Sequence, residues 1–171
     1  MAQEPEKDAI AMLKADHRKV EGLFEDYEKA KDTPHKQRLA QQICLELKVH
    51  TILEEEIFYP ACEGKIEEDL LEEAFVEHDA AKVLIGEIED SAPNADFYDA
   101  KVKVLSEEIA HHVEEEEKRM TGMFSQAKHA GLDMEALGEQ MAERKAQLMR
   151  SAQAGGDLPT KLSTMPDQRA P

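Results

Sequence analysis

Four long segments of the chain place hydrophobic residues at three- and four-residue steps, which is the spacing of one face of an α-helix. The segments span about residues 8–30, 34–60, 67–90 and 95–129. Their apolar stripes are formed by Ile10, Leu13, Val20, Phe24, Tyr27, Leu39, Ile43, Leu47, Ile57, Leu71, Phe75, Ile85, Val102, Leu105, Ile109 and Met123. No stretch alternates with the period of two that indicates a β-strand. The pattern therefore predicts an all-α fold, an antiparallel up-down four-helix bundle.

Turn and capping residues separate these segments. Thr33 followed by Pro34 suits the start of a helix, and "SAPNAD" at 91–96 is a loop signal. Beyond Gly131 the sequence predicts a short extra C-terminal helix from Met134 to Met149. Residues 151–171 are rich in Gly and Pro and poor in apolar side chains. We therefore predict one bundle domain over residues 1–150 and a flexible C-terminal tail over 151–171.

The composition narrows the classes of partner and the compartment. The chain has 171 residues and a formal net charge of −17, which repels phosphate backbones and anionic lipids, so neither nucleic acid nor a membrane is an expected partner. No apolar run approaches the roughly 20 residues that cross a bilayer, and the N-terminal stretch lacks the apolar region of a secretory signal. Cys44 and Cys62 are too few for a disulfide framework. These features predict a reduced, cytoplasmic protein of undetermined oligomeric state.

Six polar residues lie on the apolar stripes, at positions where a buried core favours leucine. They are His17, His50, Glu54, His78, His112 and Glu116. Each would cost several kcal/mol if it were buried without a partner. One such histidine is usually a hydrogen-bonded core residue, but four of them together with two glutamates make that interpretation hard to hold.

The spacing of these residues repeats. His17 and His50 are 33 residues apart and His78 and His112 are 34 apart, and a glutamate follows each second histidine by four positions. Residues at i and i+4 lie one turn apart on the same face of a helix. Two such hairpins, packed antiparallel, would bring the six side chains to one level of the core.

This donor set favours a pair of transition-metal ions. Structural zinc takes only four ligands, whereas four imidazoles and two carboxylates suffice for two metals. A carboxylate that bridges two cations also offsets their mutual repulsion. The ferritin-like di-iron motif, Glu-x-x-His, has the opposite order and a step of three.

Four stretches carry a resemblance to a known family: "DH" at 16–17, "HTILEEEIFYP" at 50–60, "EEAFVEHD" at 72–79 and "HHVEEEEKRM" at 111–120. Over about residues 8–130 the chain resembles a hemerythrin-like domain of the bacterial HHE cation-binding type. The resemblance implies a four-helix bundle with a non-haem di-iron centre, that is, two Fe ions joined by an oxo or hydroxo bridge. It also implies that the four histidines are terminal ligands and that Glu54 and Glu116 bridge the irons.

One position departs from the oxygen-carrying hemerythrins, which have a further histidine one turn after the position of His78. Here that residue is Lys82, so both metals are expected to keep an open coordination position. An inward Lys82 would donate a hydrogen bond to a bound oxygen species, and an outward one would extend to solvent. The open centre is less suited to reversible oxygen carriage than to sensing or reaction.

The expected function is therefore a di-iron protein that binds or senses O2, peroxide or NO. The alternatives are a di-iron oxidase or peroxide-decomposing enzyme, and a metal-storage or interaction module, so enzymatic activity is left open. The remaining glutamates near the motifs are expected on solvated faces; they are Glu55, Glu56, Glu114, Glu115 and Glu117. His35 and His129 are expected at the surface, as is His111, for which a role beside the ligands or at an interface stays possible.

Overall fold

The computed structural model describes residues 8–158 and 160–165. Its helices are α1 (Ala9–Lys29), α2 (Thr33–Leu53), α3 (Tyr59–Cys62), α4 (Glu68–Glu89), α5 (Tyr98–Glu117), α6 (Met123–His129) and α7 (Met134–Gln153), and a π-helical turn (Glu54–Phe58) joins α2 to α3. No strand occurs among the described residues. α1, α2, α4 and α5 form an antiparallel up-down four-helix bundle, and the extra helix α7 packs on α1 and α2. The predicted fold class is confirmed.

Short polar side chains set the starts of three helices. Asp8, Asp32 and Asp133 each accept a hydrogen bond of 3.0 Å from the backbone N–H three residues later, at the N-termini of α1, α2 and α7. The cap of α2 is therefore Asp32, one residue before the predicted Thr33, which lies in the first turn with Pro34.

The fourth predicted segment is not one helix, which corrects the expectation of a continuous helix over 95–129. α5 ends at Glu117 and α6 begins at Met123. Between them Gly122 lies so close to the backbone of Lys118 that an added Cβ would sit 2.6 Å from its N and O atoms. Met123 and Phe124 of α6 are still buried, so the hydrophobic periodicity continues across the break and conceals it.

The core consists of two apolar clusters with polar residues between them. In α1, His17 lies between Leu13 of one cluster and Val20 of the other. The antiparallel α2 crosses the two clusters in the reverse order, and His50 lies between Leu47 of the second cluster and Leu53 of the first. The predicted polar residues therefore form one layer across the bundle, walled by apolar side chains above and below.

Part of the predicted tail contacts the bundle. α7 continues to Gln153, Leu158 is buried in the cluster that contains Leu13, and residues 161–165 lie against α4. Residues 159 and 166–171 lie outside the described residues, and the flexibility of the tail stays a prediction.

The structure bears on two features of the composition, the apolar content of the helices and the two cysteines. In the described part of the chain, no helix combines the length and apolarity that a bilayer crossing needs. Cys44 and Cys62 are free and buried, and burial raises the pKa of each thiol to about 12, as befits packing residues. The cytoplasmic location stays a prediction.

Candidate metal centre

The structure brings all six predicted residues together in the polar layer. Each is at most 5% exposed. His17 comes from α1, His50 from α2, His78 from α4 and His112 from α5, while Glu54 begins the π-helical turn and Glu116 lies in the last turn of α5. The i, i+4 pairs His50–Glu54 and His112–Glu116 face the same centre, as their spacing predicts.

The histidines form two pairs, which divide the site into two halves. In the α1–α2 half, Nε2 of His17 lies 3.2 Å from Nε2 of His50. In the α4–α5 half, Nε2 of His78 lies 3.2 Å from Nε2 of His112. Each pair therefore aims two imidazole nitrogens at one point.

Each carboxylate serves both halves. Glu54 places Oε1 3.1 Å from His50 Nε2 and Oε2 3.1 Å from His78 Nε2. Glu116 places Oε2 3.3 Å from His17 Nε2 and Oε1 3.5 Å from His112 Nε2. In the α1–α2 half, two nitrogens and two carboxylate oxygens thus lie within 4.8 Å of one another. In the α4–α5 half that compact group consists of His78, His112 and Glu54, and Glu116 lies beside His112.

These distances fit a pair of metal ions. A cation with octahedral bonds of about 2.1 Å puts neighbouring ligand atoms about 3.0 Å apart, close to the separations seen here. Glu54 Oε1 and Glu116 Oε2 are buried and have no hydrogen-bond partner of good geometry, although each lies near an imidazole nitrogen, 3.1 Å from His50 Nε2 and 3.3 Å from His17 Nε2. Buried carboxylate oxygens without a partner are costly, and a cation in the α1–α2 half would satisfy both of them.

The electrostatics of the layer favour mutual charge compensation. Burial lowers the pKa of His50, but Glu54 and Asp16 outweigh it and raise that pKa to about 10. Burial likewise opposes protonation of His112, yet Glu116, Glu54 and Glu77 hold its pKa well above the ordinary value. Without metal, imidazolium ions balance the carboxylates, and a metal ion has to displace those protons.

Each histidine has a second carboxylate at its outer nitrogen, Nδ1. The pairs are Glu117 with His17 (2.7 Å), Asp16 with His50 (3.6 Å), Glu55 with His78 (3.1 Å) and Glu77 with His112 (2.6 Å). Such partners fix the ring orientation and keep the proton on Nδ1, so that the Nε2 lone pair faces the centre. The 3.6 Å separation at His50 is too long for a direct hydrogen bond.

Sequence reasoning missed these outer partners. The expectation that Glu55 and Glu117 lie on solvated faces is wrong, because both carboxylates contact imidazole rings. A signal was present, since an acidic residue adjoins a predicted ligand in four places: Asp16–His17, Glu54–Glu55, Glu77–His78 and Glu116–Glu117. Neighbouring residues of a helix project about 100° apart, so the ligand faces the centre and its neighbour faces the next helix.

Tyr59 is a further residue that the sequence did not indicate. Its hydroxyl lies 2.9 Å from Glu116 Oε1, 3.2 Å from Glu54 Oε2 and 3.1 Å from His78 Nε2, within the α4–α5 half. Burial, together with Glu116 and Glu54, raises the pKa of Tyr59 well above its ordinary value, so the phenol stays protonated.

The π-helical turn explains how Tyr59 reaches the centre. Residues five apart project about 140° from one another in an α-helix, so Glu54 and Tyr59 would point in different directions. Here the Tyr59 N–H bonds to the Glu54 carbonyl, five residues back, and the widened turn places both side chains in the polar layer. Single π-turns of this kind recur at functional sites.

Lys82 takes neither of the two positions considered from the sequence. Its side chain is 5% exposed and so does not extend to solvent. Its ammonium group lies 2.8 and 2.9 Å from the two oxygens of Glu55, outside the polar layer.

The side chain of His111 is 59% exposed, as expected, and contacts Glu77. His111, Glu77 and Glu73 form a third group of potential metal ligands at the periphery of the bundle. His35 and His129 are exposed, as expected.

The core of this helical bundle contains two histidine pairs around two shared carboxylates. This arrangement is typical of metal-binding helical bundles. The family model of the hemerythrin HHE cation binding domain matches residues 8–124. The chain therefore belongs to the hemerythrin HHE cation-binding family, and the resemblance noted in the sequence is confirmed.

Two similar proteins illustrate the fold and the family. The fold is shared with the crystal structure of a hemerythrin HHE cation binding domain-containing protein from Mycobacterium kansasii, with a TM-score of 0.72, 24% identity, and coverage of 86% of this chain and 90% of that one. A DNA nickase from Nostoc sp. strain PCC 7120 is 28% identical over 109 residues, which are 64% of this chain. That match covers 31% of the nickase, so the chain spans about a third of its length.

Proposed function

We propose that the chain holds two iron ions at the six central residues and binds or senses O2, peroxide or NO. The observation that carries the proposal is the shared use of Glu54 and Glu116, each of which offers one oxygen to each histidine pair. A non-haem iron pair supplies a redox change and coordination positions for small oxidants. Membership of a cation-binding family supports the general class of ligand.

The donor types favour iron. Imidazole suits iron, zinc, copper and nickel, while carboxylates shift preference toward harder ions, and the site contains no thiolate or thioether. Each half offers at most four donor atoms from His and Glu, fewer than the six of an octahedral ion. That difference leaves room for a small exogenous ligand.

The chain's own residues would control the surroundings of such a centre. Three outer carboxylates, Glu117, Glu55 and Glu77, lie within hydrogen-bond distance of Nδ1 atoms, where they hold protons and orient the rings. Phe124 stacks on His17 with ring centroids 5.9 Å apart, and Phe58 packs edge-on against Phe124, so the α1–α2 half has an apolar wall. Tyr59 places a hydrogen-bond donor at the other half.

Metal analysis combined with absorption spectra of freshly purified protein tests the proposal. We expect two iron atoms per chain and a visible spectrum that changes on exposure to air or peroxide. A reversible change supports binding or sensing, whereas sustained consumption of peroxide supports the oxidase or peroxide-decomposing alternative. If the protein binds zinc in place of iron and keeps its role in the cell, the result supports a metal-storage or interaction module. One metal atom per chain, or none, contradicts the proposal.

DNA is not a partner in this proposal, although one relative is named a DNA nickase. The net charge of −17 opposes approach to a phosphate backbone, and the chain matches less than a third of that relative. We expect no change in fluorescence anisotropy of labelled duplex DNA on addition of the protein at low salt. Tight, salt-dependent binding would contradict this expectation.

A further inference from the structure

The buried carboxylate of Asp79 is held by the C-terminal segment 161–165. Asp79 is 0% exposed and directly follows the candidate ligand His78 in α4. It accepts hydrogen bonds from the backbone N–H of Ser163 (2.8 Å), Thr164 (2.5 Å) and Met165 (3.1 Å), and from the Thr164 hydroxyl (2.7 Å). A buried carboxylate needs such compensation for its charge, so the three successive backbone donors anchor the segment to Asp79.

Lys82 connects this anchor to the metal centre. Its ammonium group lies 3.3 Å from Asp79 Oδ1 and donates to the Lys161 carbonyl at 2.9 Å. The same group holds both oxygens of Glu55, and the Ser163 hydroxyl also donates to Glu55 at 3.3 Å. The segment therefore fixes Lys82, and both together fix Glu55.

Glu55 is the outer partner of His78, at 3.1 Å from Nδ1. The other three outer carboxylates have different supports: Glu117 is bonded by Arg18, Asp16 by Lys145, and Glu77 lies beside His111. The contacts described for residues 161–165 thus reach one histidine of the four. Loss of an outer partner typically lowers metal affinity by about 10- to 100-fold.

We propose that Asp79 and Lys82 are positioning residues for His78, and that docking of segment 161–165 regulates the α4–α5 half of the metal centre through Glu55. The inference rests on the proposed metal site. With the segment docked, Lys82 and Ser163 hold Glu55 on His78 Nδ1. With the segment released, Lys82 loses the Lys161 carbonyl and Glu55 loses the Ser163 hydroxyl. Asp79 loses its backbone donors and competes with Glu55 for Lys82, so Glu55 is free to turn toward solvent. One half of the centre then weakens while the α1–α2 half is unchanged.

Cobalt-loaded protein provides a test that does not depend on activity. In Co²⁺-loaded protein the exchangeable Nδ1 protons of the bound histidines give separate, strongly shifted proton NMR signals, and the one that moves in Glu55→Gln belongs to His78. We expect Lys82→Met, in the full chain, to broaden or shift that signal alone and to lower Co²⁺ affinity in one of two binding steps by about 10-fold. Lys82→Arg keeps the charge and the donors, and should restore both.

The segment itself is tested by two deletions. Removal of residues 159–171 keeps the buried Leu158 and should reproduce the Lys82→Met result, whereas removal of residues 166–171 should leave signal and affinity as in the full chain. Thermal melts of the metal-free forms show whether each variant folds. Two bound Co²⁺ ions with an unchanged His78 signal in Lys82→Met and in the longer deletion would overturn the inference alone. Fewer than two Co²⁺ ions in the full chain would overturn the proposed metal site, and the inference with it.

Discussion

The α1–α2 half and the α4–α5 half each present two imidazole nitrogens, and each shared carboxylate turns one oxygen toward each half. All four residues of the α1–α2 half form one compact group, whereas the compact group of the α4–α5 half contains Glu54 but not Glu116. Their surroundings differ. In the α1–α2 half, Glu54 Oε1 and Glu116 Oε2 have no hydrogen-bond partner. In the α4–α5 half, the other oxygen of each carboxylate contacts the hydroxyl of Tyr59. Two similar sets of candidate ligands therefore lie in different environments.

The asymmetry comes from elements outside the repeated motif. The π-helical turn delivers Tyr59, α6 delivers Phe124, and the C-terminal segment holds Lys82. The repeat thus gives two similar positions for metal ions, and its neighbours make those positions chemically distinct. Four predictions test how far that distinction extends.

The largest effect is expected from Glu54→Ala, because this carboxylate belongs to both halves. The variant should lose both metal ions rather than one, and in the presence of metal it should be less stable than the loaded wild-type protein by several kcal/mol, or roughly 10 °C or more in Tm. Metal content and thermal melts measure both quantities. Glu114→Ala is the matched control, since Glu114 is exposed and lies near the other shared carboxylate in α5. Retention of one ion in Glu54→Ala would show that the halves are independent.

Removal of an outer carboxylate should distinguish the halves. Glu77 lies 2.6 Å from His112 Nδ1, whereas Asp16 lies 3.6 Å from His50 Nδ1. We expect Glu77→Gln to lower the affinity for one metal ion by about 10- to 100-fold, and Asp16→Asn to lower it less. Competition with a chelator measures both affinities. Equal losses would mean that the difference in distance has no energetic consequence.

Tyr59→Phe should make the two halves more alike. In the metal-free protein the variant removes the single O–H donor that Glu116 Oε1 and Glu54 Oε2 share, at a cost of about 1–3 kcal/mol, or roughly 2–4 °C in Tm per kcal/mol. In the loaded protein the metal ions compensate those oxygens, so the loss should be smaller. Tyr27→Phe is the control, because the Tyr27 hydroxyl bonds Asp99 at 2.7 Å outside the polar layer. Equal Tm losses for Tyr59→Phe in both forms would contradict the assignment.

The smallest effect concerns a carboxylate that belongs to neither half. Hydrogen bonds from Tyr27 and Lys36 hold the pKa of Asp99 below its ordinary value of 3.8. A lowered folded-state pKa adds stability above the unfolded value, and that stability is lost as the pH falls through the folded value. Asp99→Asn should therefore flatten the fall in Tm below about pH 4 slightly and leave the metal content near neutral pH unchanged. A change in metal content would mean that the distant end of the bundle couples to the centre.

The sequence by itself determined the helices and the polar layer. The hydrophobic period placed α1 within one residue of its observed bounds, and the repeated His…His-x-x-x-Glu pattern selected the six residues that meet in the core. Both results have one physical reason: periodicity reports which face of a helix is buried, and a polar residue on that face needs a partner.

Only the tertiary structure decided what surrounds those six residues. The break at Gly122 leaves the hydrophobic period unchanged, and the π-helical turn before Tyr59 alters it over a single turn only. The docking of Thr164 on Asp79 involves no apolar stripe, so no periodic pattern reveals any of these features. The outer carboxylates adjoin the candidate ligands in sequence, but each contacts a histidine on a neighbouring helix. A helix's own sequence fixes the direction of a side chain around its axis, whereas the residue that the side chain meets depends on how the helices pack.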